Sequence, residues 1–351
     1  MKKESNRRGS ALIVVLWVIA LLSMFVVSFA FDARLEAGIT SYCKKRTKAD
    51  YLARSGLEVA RMLMSRSVEY KTAGQTEKER MEADVDDKWF EPVKRLSDGL
   101  AIMNYSAKLG DGEILLTIEP EPARRNVNLL KEDDWELIFK QSGVPEDLWP
   151  VLIESFLDWT DQDTTPRSDG AETDDYYSRL DFPYKAKNGP LDTVDELLLV
   201  KGFNKTILYG GTLPGRTEQD EGLAIAGIDG LLTTYGDGKV NVNAAPLNVL
   251  ITFKDVDDLV AGAIMEEREG LSGSRTKASD KKKEKTSFLS VEDLYARIPD
   301  LPQGVRGSFT VDSAIFRVTS VGNLGGVKKK IWCIVMFAGQ QMNILKWREE
   351  D

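Results

Sequence analysis

The sequence predicts an α+β protein. It has a long N-terminal helix, half transmembrane and half amphipathic, then an antiparallel sheet, with a large and mostly helical domain inserted between the sheet's hairpins. Three observations carry this expectation. Residues 10–31 contain no charged side chain. The stretch after them keeps apolar residues at helical spacing, without proline, to about residue 70. Two hairpin patterns lie far apart in the chain, and the residues between them read as helix and loop.

The first nine residues, MKKESNRRG, include four basic ones: Lys2, Lys3, Arg7 and Arg8. The 22 residues from Ser10 to Phe31 follow. At about 1.5 Å per residue such a helix is roughly 33 Å long, the thickness of a bilayer's hydrocarbon core. Basic residues stay on the cytoplasmic side, so the remainder of the chain faces the other side. A cleaved secretory signal fits less well, because its apolar region is shorter and ends in an Ala-x-Ala-like site. Here Asp32, Arg34 and Glu36 come next. Beyond them Leu35, Ile39, Tyr42, Ala49, Leu52, Ala53, Leu57, Ala60, Leu63 and Met64 keep the helical period. One helix of some 55–60 residues is expected, with Gly38 and Gly56 as weak points of about 1 kcal/mol each.

Residues 71–98 are polar and charged and read as a loop with a short helix at most. Strands are expected at Leu100–Lys108 and Glu113–Glu119, joined by Gly110-Asp111-Gly112. A second pair, Ala314–Val321 and Lys329–Phe337, flanks Gly322-Asn323-Leu324-Gly325-Gly326. About four strands result. The chain divides into 1–9, a cytoplasmic leader; 10–31, the membrane half of the helix; 32–70, its amphipathic half; 71–123 with 302–351, the sheet domain; and 124–301, the insertion.

Composition limits the chemistry. The 351 residues contain no histidine, which removes Ser-His-Asp, Cys-His and His-ligated zinc sites. The two cysteines, Cys43 and Cys333, are too few for a zinc ribbon or a disulfide framework. They form one bridge in an oxidising compartment or remain two packed thiols, and the thiols are favoured. A net charge of −9 makes nucleic acid a poor general partner.

The N-terminal arrangement resembles the type IV pilin-like proteins. A basic leader ends in glycine immediately before a small residue and an apolar helix. The resemblance implies that prepilin peptidase cuts between Gly9 and Ser10 and that the new amino terminus at Ser10 is methylated. It also implies a pilin-type α/β roll. Most such subunits carry Glu at the fifth mature position, where this chain has Val14. A glutamate there is costly unless it meets a neighbour's terminal amine. Its absence marks the K class of minor pseudopilins of type II secretion (general secretion pathway protein K). For this chain the K class implies a non-enzymatic subunit at the tip of the pseudopilus, in the bacterial inner membrane, single-pass, with its bulk in the periplasm. The implied partners are minor pseudopilins of the I and J classes, prepilin peptidase and the secretion machinery, in support of export across the outer membrane.

The insertion contains a repeat. RRNVNLL at 124–130 is echoed by GKVNVNAAPL at 238–247, and LDTVDELLLVKG at 191–202 by FLSVEDLYARI at 288–298. Thr193 with Glu196, and Ser290 with Asp293, have capping-box spacing. The second copy resembles helix-hairpin-helix proteins, so the alternative function is a pilus-tip or competence-type protein that touches DNA. A plain packing module fits better. The glycine hairpin is replaced by FKDVDDL at 253–259, and the basic stretch 274–285 reads as a solvated loop.

Residues 158–181 hold eight acids against two bases. Such repulsion calls for a cation or full solvation. Asp161-x-Asp163, Gly170 and Glu172 form an oxygen-rich loop without EF-hand spacing, and hard oxygen ligands favour Ca2+. The stretch Asp158 to Glu172 also matches the DxxDxDxxPRxxGAE pattern of the K class, which implies calcium in the insertion. The expected ligands are Asp161, Asp163 and Glu172, with Asp158 and Asp175 as further candidates. A hydrolase using these carboxylates for a catalytic metal is the weakest alternative, since no histidine supports it.

Overall fold

A computed structural model of the chain describes residues 7–82, 88–214, 222–269, 287–338 and 341–350. The first six residues of the expected leader and the basic stretch 274–285 lie outside the described residues. Helix α1 (Arg7–Thr72) runs unbroken for 66 residues, somewhat longer than the period predicts, and Gly9 and Ser10 fall in its first turn. From Leu12 to Phe31 its large apolar side chains are exposed on every side. This segment is the one described helix long and apolar enough to cross a membrane. Further on, Ala49, Ala53, Leu57, Ala60, Leu63 and Met64 are buried as their spacing predicts.

The polar stretch after α1 corrects the expectation of a loop. It forms α2 (Gln75–Glu82) and α3 (Phe90–Ser97), and α3 buries Val93 and Leu96 against α1. Strands β1 (Ile102–Leu109) and β2 (Gly112–Pro120) form the first hairpin, with Gly110 at a φ of 59° in its turn. The insertion then begins with β3 (Arg125–Asn126), α4 (Glu132–Ser142), α5 (Trp149–Thr160), α6 (Lys205–Tyr209), and the short pair β4 (Gly211–Leu213) and β5 (Leu223–Ile225). It continues through β6 (Leu232–Thr233), β7 (Val240–Asn241), α7 (Leu247–Leu250), α8 (Asp258–Glu269), α9 (Val291–Arg297) and β8 (Phe309–Thr310). The chain returns to the sheet in β9 (Ile315–Leu324), β10 (Val327–Ala338) and β11 (Gln341–Glu350).

The sheet has five antiparallel strands in the order β1-β2-β9-β10-β11. The fourfold expectation is corrected by β11, an edge strand. One face of the sheet closes on α1 through Ile102, Leu116, Ile118, Val318, Ile331 and Val335. Glycine makes the close approach possible. A Cβ on Gly322 would lie 2.1 Å from the Ala49 carbonyl oxygen, and one on Gly56 would lie 2.0 Å from Ser320 Oγ. Gly56 is therefore a contact point of α1 rather than a weak one.

Register gives the molecule two ends. Gly112 and Gly322, at the hairpin ends of β2 and β9, pack on α1 near Ala49 and Leu52, the end of the sheet closer to the apolar segment; β9 runs on to Leu324, so the second turn is only Gly325-Gly326 rather than the five residues expected. Pro120 pairs with Phe316 at the opposite end of the sheet, where the last turn of α1 ion-pairs Lys71 with Asp312. The insertion leaves and rejoins the sheet there, so it sits at the end remote from the apolar helix. It has its own core, centred on Trp135, Phe139, Phe156 and Tyr177. Glu121, fully buried at the junction, accepts hydrogen bonds from Arg317 Nε and Nη2, both at 2.9 Å, and from Thr233 Oγ1 at 2.7 Å. Cys43 is exposed and Cys333 buried, and both are free thiols.

Candidate metal centre in a duplicated module

The repeat read from the sequence is a repeat of structure. In the first copy Asn126 Oδ1 accepts from Asn128 N, and the Asn128 amide then grips Leu191 at both backbone atoms, at 3.0 Å and 2.7 Å. In the second copy Asn241 Oδ1 accepts from Asn243 N, and the Asn243 amide grips Phe288 in the same way, at 2.9 Å each. An asparagine side chain has one acceptor and one donor group side by side, the shape of a peptide edge. That explains why Asn-Val-Asn recurs, and why each copy is followed downstream by an apolar residue and a capping acid. Glu196 accepts from Thr193 N, and Asp293 N donates to Ser290 Oγ. Each copy also contains a two-residue parallel strand pair, β3 with β6 and β7 with β8.

The acidic loop follows α5, inside the first copy. Asp158, in the last turn of that helix, is fully buried. Its Oδ2 accepts from Arg167 N at 3.0 Å and Ala171 N at 2.8 Å, and its Oδ1 accepts from Arg167 Nη1 at 2.5 Å. The loop wraps so closely that a Cβ on Gly170 would lie 2.0 Å from Asp158 Oδ2. Asp158 therefore pins the loop. Asp175 likewise serves the loop, its Oδ1 accepting from Glu172 N at 2.7 Å.

The three principal acids converge. One carboxylate oxygen from each of Asp161, Asp163 and Glu172 lies within 4.8 Å of the others. Two oxygens on one calcium ion are no more than about 5 Å apart, so this spacing fits a shared cation. Two oxygens in the group, Asp161 Oδ1 and Glu172 Oε1, are buried and have no hydrogen-bond partner. An unpartnered buried carboxylate oxygen is costly, and a hard cation is the partner such oxygens suit. Glu172 is 2% exposed. Burial, with Asp158, Asp161 and Asp163 adding to it, raises its carboxyl above the usual range despite a hydrogen bond from Thr173 N. Arg167 answers part of the negative charge, reaching both Asp158 and Asp161 Oδ2. Lys201 Nζ ties the loop carbonyls of Asp169 and Gly170.

Sequence reading missed Asn188. It stands at a φ of 49°, donates to the Asp163 carbonyl at 2.6 Å, and keeps its own Oδ1 buried and without a hydrogen bond. Its distance in sequence from the acids gave no signal. The DNA alternative loses its footing in the second copy. Where the glycine hairpin of helix-hairpin-helix proteins would offer amides to phosphate, this chain presents Asp255, Asp257 and Asp258 around a groove of about 470 Å³. Three carboxylates there repel a phosphate backbone.

A long apolar-to-amphipathic helix laid on a five-stranded antiparallel sheet, with an asparagine-clamped helical insertion, defines a pilin-like fold. The family model described as "Type II secretion system (T2SS), protein K" matches residues 119–209, from the end of β2 through α6. The type II secretion system protein K of Pectobacterium carotovorum subsp. carotovorum is 27% identical over 230 residues, 60% of this chain and 62% of that protein's length. A chain of the crystallised GspK-GspI-GspJ complex from the type 2 secretion system of enterotoxigenic Escherichia coli shares the fold. Its TM-score is 0.52 at 15% identity, over 91% of this chain and 99% of that one. Over the first part of the insertion the chain is thus similar to protein K of type II secretion, and it spans about three fifths of the length of the curated relative it matches.

Proposed function

We propose that this chain is the tip subunit of a type II secretion pseudopilus, anchored in the inner membrane with its folded part in the periplasm, and that it supports export across the outer membrane. The observation that carries this reading is the position of the insertion, at the end of the sheet remote from the apolar helix. A subunit so covered leaves no bare sheet end for another to stack upon. Val14 supports the same place, because a subunit with no predecessor has no amine to neutralise. Its role is structural, built on surfaces rather than on a reacting centre.

Processing by prepilin peptidase after Gly9, with methylation of Ser10, belongs to this reading. So do minor pseudopilins of the I and J classes as neighbours, by analogy with the E. coli complex of GspK with GspI and GspJ. Calcium belongs to it too. Asp161, Asp163 and Glu172 would hold the ion, Asn188 Oδ1 would be a further oxygen, and Asp158 and Asp175 would keep the loop in shape. Bound there, the ion would neutralise the acidic loop and fix it against α5.

Two measurements test the reading. Intact mass of the purified membrane protein should correspond to a chain beginning at a methylated Ser10. A chain that keeps Met1 or begins near Asp32 would sink the pilin-type processing. Co-purification with the I- and J-class pseudopilins should yield a stable complex, and its absence at micromolar concentration would count against the assigned place.

A further inference from the structure

A second cavity has no part in the metal centre or the anchor. It holds about 450 Å³ between α3, the start of β1, the end of β2 and the second copy of the module. Three arginines line it: Arg95, Arg124 and Arg268. The acids on its wall are Glu119 and Glu269, so the pocket is net positive in a chain whose net charge is −9.

These guanidiniums have donors to spare. Arg268 uses Nη1 for the carbonyls of Val242 and Ala245, at 2.9 Å and 2.7 Å, and shows no other hydrogen bond among the described residues. Arg95 spends Nε and Nη2 on the single carbonyl of Ala101. Arg124 sits between two acids, its Nη2 3.7 Å from Glu119 and its Nη1 3.5 Å from a Glu121 carboxylate already engaged by Arg317 and Thr233, and that Nη1 is buried without a hydrogen bond. Burial lowers the Arg268 pKa, with only Glu269 acting against it. A guanidinium matches a carboxylate in shape and charge. Next to the arginines the wall turns apolar, with Met103, Met265 and Pro246.

We propose that this pocket captures the free C-terminus of a partner polypeptide, its carboxylate among the three guanidiniums and an apolar last side chain against Met103, Met265 and Pro246. A peptide end joins an oxyanion to an apolar group, and the wall offers both kinds of surface within one cavity. The volume lies within the range of ligand pockets.

The test uses the full chain in detergent micelles and three probes: an acetylated tetrapeptide ending in leucine, the same peptide as its C-terminal amide, and inorganic phosphate. Calorimetric titration should show the acid binding at least tenfold more tightly than the amide and than phosphate. Arg268→Gln should weaken the acid at least tenfold. Met103 is 58% exposed at the rim, so Met103→Glu should fold normally and weaken the acid to a similar degree by placing a like charge at the mouth. Acid and amide binding alike, phosphate binding as tightly as the acid, no binding of the acid, or wild-type affinity in Met103→Glu would each overturn the proposal.

Discussion

Glu121 is the side chain on which the sheet and the insertion most depend, and Glu121→Ala measures that dependence. The carboxylate is fully buried, held by two parallel hydrogen bonds from Arg317 and one from Thr233, with Arg124 beside it. Burial alone would lower the Arg317 pKa, but Glu121 outweighs it and raises the value. Removing the carboxylate strands that cation and a buried hydroxyl. Breaking one side of a buried pair costs about 3–5 kcal/mol. The Arg317 side chain retains 29% exposure and recovers some hydration, so a loss near 3 kcal/mol is expected. For a folded unit of this size each kcal/mol moves the melting temperature by about 2–4 °C, so the loss corresponds to about 6–12 °C. Thermal and urea unfolding of the full chain in micelles, followed by circular dichroism, would read it. Glu121→Leu combined with Arg317→Met should recover much of the loss, because the stranded Arg317 cation is removed and Arg124 keeps Glu119, 3.7 Å away. A Glu121→Ala variant within about 1 kcal/mol of wild type would refute the reasoning and reduce the pair to a surface contact.

The other expectations concern separate parts of the molecule. Gly322→Ala should cost about 1–3 kcal/mol or more in the same unfolding assay, since the added carbon meets the backbone of α1. Gly56→Ala should cost less, because the nearest atom is a serine hydroxyl. Millimolar Ca2+ should stabilise the fold by about 2.7 kcal/mol at a hundredfold excess over Kd, raising the melting temperature where chelator lowers it, and Asp161→Ala with Asp163→Ala should abolish the response. An unchanged melting temperature in chelator would make the segment a solvated acidic loop. Burial pushes the Cys333 thiol up to about 11. The unfolded chain releases that proton first, so this part of the stability is whole below about pH 9 and is lost as pH rises toward 11. Cys333→Val should flatten that decline; an unchanged slope would remove the thiol from the account.

What the sequence made legible depended on how local the signal was. The apolar first part of α1 was legible because twenty-odd uncharged residues in a row at the start of a helical period stand out from the rest of the chain. The amphipathic half of α1 and four strands followed from their own periods, since each element buries one face against its neighbours. Strand β11 carries Asn343, Lys346, Arg348 and Glu349 and leaves Ile344, Leu345 and Trp347 partly exposed. An edge strand buries too little to print an alternation. Helices α2 and α3 were hidden by polar composition, and α3 is fixed by only a few buried contacts. The acidic cluster was visible as charge density. The division of labour inside it was not, because the burial of Asp158 depends on the wrap of Gly170 and Ala171 around it. The Asn-Val-Asn repeat was likewise visible as a pattern, while its purpose lay in Leu191 and Phe288, far along the chain.

The tip assignment is tested most directly by finding the subunit in the filament. Sheared pseudopili carrying an epitope between Gly326 and Val327, in an exposed turn of the sheet, can be marked with gold-conjugated antibody and viewed by electron microscopy. The account predicts a single label at one end of each filament, and an unchanged pattern in Val14→Glu with export unchanged or reduced. Label repeated along the shaft, or export improved by Val14→Glu, would contradict it and place the chain within the filament.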